Sequence, residues 1–220
     1  MTFAPRLDIL PTPQRRLWVE FAHVPRQFTL YGGTAIALHL GHRASVGFDF
    51  FGFHAFDPDH LYRQVPFLKQ AEVIQRDANT LTCLVDREGP VQVSFFGVPG
   101  IGRVREPHQA PDNGLLVADL IDLAGMKASV VQKRAMLKDY IDMDAMISHG
   151  VDLSVALAAG QAIYGTAFSA QITLKALLYF EDGNLRALSR DVRQRLLAAV
   201  RAVDLDKLPT LHPVLPRAPE

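Results

Sequence analysis

A chain of 220 residues that is 49% hydrophobic and 21% charged can bury a sizeable core. That excludes a disordered or fibrous protein and fits one compact domain with a helical extension. Its 23 basic residues balance 23 acidic ones, so no global field holds a nucleic-acid backbone, and such a partner requires a local basic patch.

One cysteine, Cys83, excludes an internal disulfide, and no apolar run reaches bilayer-spanning length. The opening MTFAPRLDIL lacks the basic and apolar regions of a signal peptide. The expected compartment is the cytoplasm, with no membrane partner.

Leu17, Trp18 and Phe21 stand at helical spacing between Pro13 and His23, and the β-prone run Phe28-Thr29-Leu30-Tyr31 follows Pro25. Gly32-Gly33 breaks that strand, and Thr34 opens an apolar helix that stops at Gly41. Phe48-Asp49-Phe50-Phe51 then fits a central strand with one acid among apolar neighbours. Pro58 to Leu68 reads as a helix. Ala71–Gln75, Thr80–Val85 and Val91–Phe96 read as an antiparallel meander with turns at Asp77-Ala78-Asn79 and Glu88-Gly89-Pro90. A Pro- and Gly-rich connection covers Val98 to Asn113, and from Leu120 the pattern is helical almost to Leu208. The expected organisation is an α/β core over 1–112, a helical part over 113–208 that completes a cleft, and an extended tail over 209–220.

Two constellations carry chemistry. A Gly-Gly turn into a helix lets unpaired backbone N–H groups approach a phosphate that a side chain would block, so Gly32, Gly33 and Thr34 suit a phosphate cradle. Two glycines also simply turn a strand into a helix, and the dipeptide alone does not separate these readings. An acid on the next strand, Asp49, is placed to hold Mg²⁺, or else is a structural aspartate bonded to backbone or to Arg43.

The string LYGGTAIALHLGHRASVGFDFF resembles the opening motif of the AbiEii/AbiGii toxin family of nucleotidyltransferases. Its pattern is Gly-Gly-Thr or Gly-Ser followed by Arg-x-Ser-x-Asp-apolar-Asp. Arg43, Ser45 and Asp49 fall where that motif puts them, but the first Asp is replaced by Gly47. Residues two apart on a strand share a face, so the replacement removes one of two carboxylates that would clamp the same metal. The later strand offers Ser94 where related polymerase-type enzymes carry a third carboxylate.

Farther along, Lys127 lies in the apolar stripe of a helix, where it either extends its ammonium into a cleft or snorkels to solvent. Lys138-Asp139-Tyr140-Ile141-Asp142 puts two carboxylates on one helical face and permits a Lys138 to Asp142 pair. Lys127, the basic run Gln132-Lys133-Arg134, Lys138, Asp139 and Asp142 match, in order, the same family's second signature. That resemblance implies phosphate contact by Lys127 and a role for Asp139 as general base or structural clamp.

The resemblance implies an α+β nucleotidyltransferase fold, with a mixed or antiparallel sheet flanked by helices and a C-terminal helical part. It further implies Mg²⁺ held by Asp49, catalysis by Asp49, Lys127, Asp139 and Asp142, and nucleotide binding by Gly32, Gly33, Thr34, Arg43, Ser45 and Lys138. The implied activity moves a nucleotide from an NTP to an acceptor, RNA such as tRNA, as the toxin partnered by an antitoxin protein. The alternative is a catalytically degenerate nucleotide-binding protein or regulatory partner, and Gly47 separates the two. No H-E-x-x-H, Gly-x-Ser-x-Gly or G-x-x-x-x-G-K-[ST] motif supports another chemistry.

Overall fold

In the computed structural model, which describes residues 3–214, Pro13 supplies the fixed φ of a first helical turn. The chain forms α1 (Thr12–Trp18), which tightens into a 3-10 turn over Val19–His23. β1 (Phe28–Tyr31) leads directly into α2 (Gly32–Leu40), and Gly41 ends that helix in the left-handed region at φ 67°. β2 (Gly47–Gly52) follows, then α3 (Pro58–Gln64). The helix expected to reach Leu68 stops at Val65, because the residue before Pro66 is pushed into an extended conformation.

The expected meander is present as β3 (Glu72–Asp77), β4 (Thr80–Asp86) and β5 (Pro90–Gly97), all antiparallel. Two short strands, β6 (His108–Gln109) and β7 (Leu116–Val117), complete a seven-stranded sheet in the order β3-β4-β5-β2-β1-β7-β6. β2 pairs with β5 in parallel and β1 with β7 in parallel, while the other pairings are antiparallel, so the sheet is mixed and β2 is its central strand.

β2 shows how the sheet is sided. Phe48 and Phe50 are fully buried, whereas Gly47, Asp49 and Phe51 on the other face are half-buried. Phe21 packs edge-on against Phe48 at 4.6 Å and Phe50 at 5.3 Å, and Phe50 stacks on Phe95 at 5.0 Å. Each such buried ring contributes about 1.5–3 kcal/mol, which fixes the register and leaves Asp49 on the opposite face.

The chain divides into two units. One takes residues 3–101 and 106–118, and the other takes 102–105 and 119–214. The boundary expected near 112 therefore falls at 118/119, because residues 116–117 form β7 and hydrogen-bond with the sheet.

The second unit is helical: α4 (Leu120–Val131), α5 (Leu137–Ser148), α6 (Leu153–Tyr164), α7 (Ala170–Leu178) and α8 (Arg190–Ala202). α4 and α6 meet at small residues. A Cβ on Gly125 would stand 2.8 Å from Ala159 and from the Gly160 nitrogen. α7 is fastened to α4 by Thr173, whose hydroxyl donates to the Ala128 carbonyl at 2.9 Å, and by Gln132, which donates to Thr173 at 2.8 Å.

The short segment 102–105 forms a strap on this unit. The Val104 and Arg105 amides donate to the two carboxylate oxygens of Asp122 at 2.7 and 2.8 Å, and Arg103 bridges to Val214. Of the expected tail, residues 215–220 lie outside the described residues. Among the described residues no single helix is long and apolar enough to cross a membrane.

Candidate functional site

In the sheet unit, Tyr31 is the N-cap of α2 and offers no side-chain cap. The first-turn amides of that helix therefore have no intrahelical acceptor, and the positive end of the helix dipole lies at Gly32-Gly33. Gly32 sits at φ +74°, and a Cβ built on it would come within 2.7 Å of Asp49 Oδ2. Only glycine serves both demands: a left-handed backbone and room for the carboxylate. The structure thus brings Gly32, Gly33 and Asp49 together at one end of α2.

Thr34 and Ser45 are buried beneath this turn and bonded to each other at 2.7 Å. Thr34 also donates to the Gly47 carbonyl. A hydroxyl has one proton, so Ser45 donates to Thr34, which passes its own proton bond to Gly47. This chain ties the first turn of α2 to the start of β2 and holds Asp49 in register opposite the turn. Arg43 is half-buried, and its guanidinium donates to the Ala44 carbonyl at 3.0 Å.

Across the sheet, Asp49 pairs with Tyr31 on one side and Ser94 on the other, and Ser94 pairs with Thr82. Thr82 donates to Ser94 at 3.3 Å. Gly47 pairs with Gln92, so the row beside Asp49 consists of a tyrosine, a glycine, an amide and two aliphatic hydroxyls. Mg²⁺ in such sites is held by one or two carboxylates together with substrate phosphates. Among the described residues no three His, Cys, Asp or Glu side chains are grouped to hold a metal. The donor set does not fit a resident ion held by the protein alone.

In the helical unit, Lys127 neither snorkels nor stands free. It is buried, and its Nζ lies 2.9 Å from both Asp139 Oδ1 and Asp142 Oδ2, whose side chains are fully enclosed. Arg134 completes the cluster with a fork onto Asp139, Nε to Oδ2 at 2.7 Å and a second bond at 3.1 Å. Burial pushes the Asp139 carboxyl up, but Arg134 and Lys127 outweigh it and hold it below the ordinary carboxylate range. With both oxygens engaged and its proton affinity lowered, Asp139 is suited to clamp Lys127 rather than to accept a proton. Lys138 is exposed, and Asp142 is turned inward to Lys127, so the pair allowed by their spacing gives way to the buried one.

Sequence reasoning missed Asp122. Burial raises its pKa from an ordinary 3.8 to about 6, against the two strap amides that pull it down. Its position in the first turn of α4 reads as a solvated dipole partner, and nothing in the sequence announces that residues 104 and 105 return to it.

The sequence profile of the family described as "Nucleotidyl transferase AbiEii toxin, Type IV TA system" matches residues 16–213. A protein of Aquifex aeolicus (strain VF5), described only as uncharacterized protein aq_aa25, is 34% identical over 158 residues, covering 70% of this chain and 74% of its own. Two solved structures share the fold. MenT4, a nucleotidyltransferase toxin of Mycobacterium tuberculosis H37Rv, superposes with a TM-score of 0.58 at 16% identity over 88% of this chain and 83% of that one. A crystal structure from H. pylori, described as a candidate nucleotidyltransferase, gives 0.53 at 14% identity over 86% and 90%.

Proposed function

The chain belongs to the AbiEii nucleotidyl transferase toxin family, and from that premise we propose that it transfers a nucleotide from an NTP to a hydroxyl of an RNA acceptor such as tRNA, restrained by an antitoxin. The observation that carries this reading is the approach of Asp49 to Gly32 at the uncapped start of α2. Backbone donors and the helix dipole there favour the triphosphate. In the transfer, the acceptor hydroxyl gives up its proton to solvent as its oxygen bonds to the α-phosphorus, the bond from the α-phosphorus to the α,β-bridging oxygen breaks, and pyrophosphate leaves. Orienting the phosphates and excluding alternative geometries is the part assigned to the α2 turn and Asp49.

The clamp around Lys127 fixes α4 to α5 within the helical unit. A cytoplasmic site of action follows from the RNA acceptor and belongs to the same proposal. Gly47 favours a second reading, in which nucleotide is bound but not transferred.

Incubation with each NTP labelled at the α-phosphate, Mg²⁺ and total tRNA tests the proposal. Labelled RNA is expected with one or more NTPs and is expected to vanish in Asp49→Asn. Binding without any labelled product selects the degenerate reading. Absence of both nucleotide binding and labelling overturns the proposal.

A further inference from the structure

The loss of a carboxylate at position 47 has a local signature. Gly47 has an ordinary strand backbone, and a Cβ built on it meets only the Gln92 carbonyl oxygen, at 3.6 Å, an ordinary van der Waals contact. The position is on the Asp49 face of β2, about 7 Å along the strand from Asp49. Nothing in the surroundings has filled the space with a bulkier group or turned it into the core. On the neighbouring strand, the residues paired with 47 and 49 are Gln92 and Ser94, which supply neutral oxygens only. The positions flanking Asp49 on β2 and paired with them on β5 therefore add no second carboxylate to it, and a lone carboxylate holds Mg²⁺ only together with substrate phosphates.

We propose that this protein has no divalent-cation site of its own and takes the cation only as part of the nucleotide complex, with Asp49 contributing a single ligand and the phosphates the rest. Gly47 is the residue that makes binding conditional. The cation becomes a property of the substrate, and the free protein is cation-free at physiological concentrations. This rests on the nucleotide reading of the site for its second half; the first half stands on the donor set alone.

The test uses Mn²⁺ as the probe, followed by water proton relaxation enhancement, which separates protein-bound ion from ion on free nucleotide. The full chain, Asp49→Asn, Gly47→Asp and Gly47→Asn are titrated without nucleotide. Wild type and Asp49→Asn are expected to coincide, and Gly47→Asp to bind Mn²⁺ about tenfold more tightly or better. Gly47→Asn adds the same bulk without the charge and is expected to match wild type. An α,β-methylene analogue of each NTP is then added, and wild type is expected to show enhancement with at least one that Asp49→Asn lacks.

Mn²⁺ bound by wild type without nucleotide and lost in Asp49→Asn overturns the proposal, without needing Gly47→Asp to fold. An unchanged Gly47→Asp with wild-type circular dichroism also overturns it. If the nucleotide-free arm comes out as expected but no analogue produces enhancement, the cation deficit stands, while delivery by nucleotide and the nucleotide reading fall together.

Discussion

Replacing Lys127 by Met removes one ammonium from between two carboxylates that solvent does not reach. Asp139 keeps its fork from Arg134, but Asp142 loses a partner at 2.9 Å, and the two like charges remain three residues apart on α5. Breaking a buried pair from one side typically costs 3–5 kcal/mol, because the remaining charge is left in a poor solvent. For a chain of this size that corresponds to a melting temperature lower by about 10 °C. Lys207, paired with Asp204 at the surface, gives the contrast: Lys207→Met is expected to leave the unfolding midpoint unchanged, because solvent screens that pair.

The pH dependence has a definite sign. In the wild type Asp139 is held below its ordinary value, so its stabilisation is complete above the unfolded carboxylate pKa and is lost as pH falls through the lower folded value. In Lys127→Met, Asp139 loses one of the two cations that hold it down and is expected to bind a proton more readily. The cost is therefore largest near neutrality and shrinks as pH falls through the carboxylate range. Adding Asp142→Asn to Lys127→Met is expected to recover part of the loss. Urea unfolding followed by circular dichroism at 222 nm is the appropriate assay, since the single tryptophan, Trp18, reports on the sheet unit. A cost below about 1 kcal/mol, or one that does not change between pH 7 and 4, would refute the reasoning.

Gly32→Ala is expected to cost about 1–2 kcal/mol from the left-handed backbone alone. Because its Cβ meets Asp49 Oδ2, nucleotide affinity measured by calorimetry should fall far more than stability does. Asp122→Asn can accept only one of the two strap amides, and its baseline loss should be about 1–3 kcal/mol. Its second effect is on pH: the raised Asp122 pKa of about 6 makes the wild type lose stability as pH rises from about 4 to 6, because there the folded state binds the extra proton. That slope should disappear from denaturation curves of the variant. Gly125→Ala forces a methyl against Ala159 and the Gly160 backbone, and thermal melts should show an overpacking cost of about 1–3 kcal/mol.

The parts legible in the sequence were those encoded by neighbours. Gly32-Gly33 after a β-prone run gave strand, turn and helix, and Phe48-Asp49-Phe50-Phe51 read as a central strand with one acid among apolar neighbours. Even the absent carboxylate at Gly47 was visible as a departure from a motif. What sequence left open depends on distant groups. Lys127 in an apolar stripe allowed either a ligand contact or a path to solvent, and only the fold of α5 shows it enclosed by Asp139 and Asp142. β6 and β7 are two residues each, too short for an alternating pattern, and exist because β1 offers β7 an edge and β7 offers one to β6. Ser45 and Thr34 read as phosphate ligands by motif, but their mutual bond inside the protein was not visible in either residue alone.

The strap over Asp122 bears on how the chain can be divided. Residues 102–105 fold with the helices, yet residues 106–118, which follow them, fold with the sheet. A fragment beginning at residue 119 would carry the buried Asp122 carboxylate without the two amides that satisfy it, and one beginning at 102 would drag along β6 and β7 without β1, the strand β7 pairs with. No single scission therefore yields two self-sufficient pieces. A cut between residues 118 and 119 keeps the described residues of the sheet unit on one piece and parts the helices from the strap that satisfies Asp122.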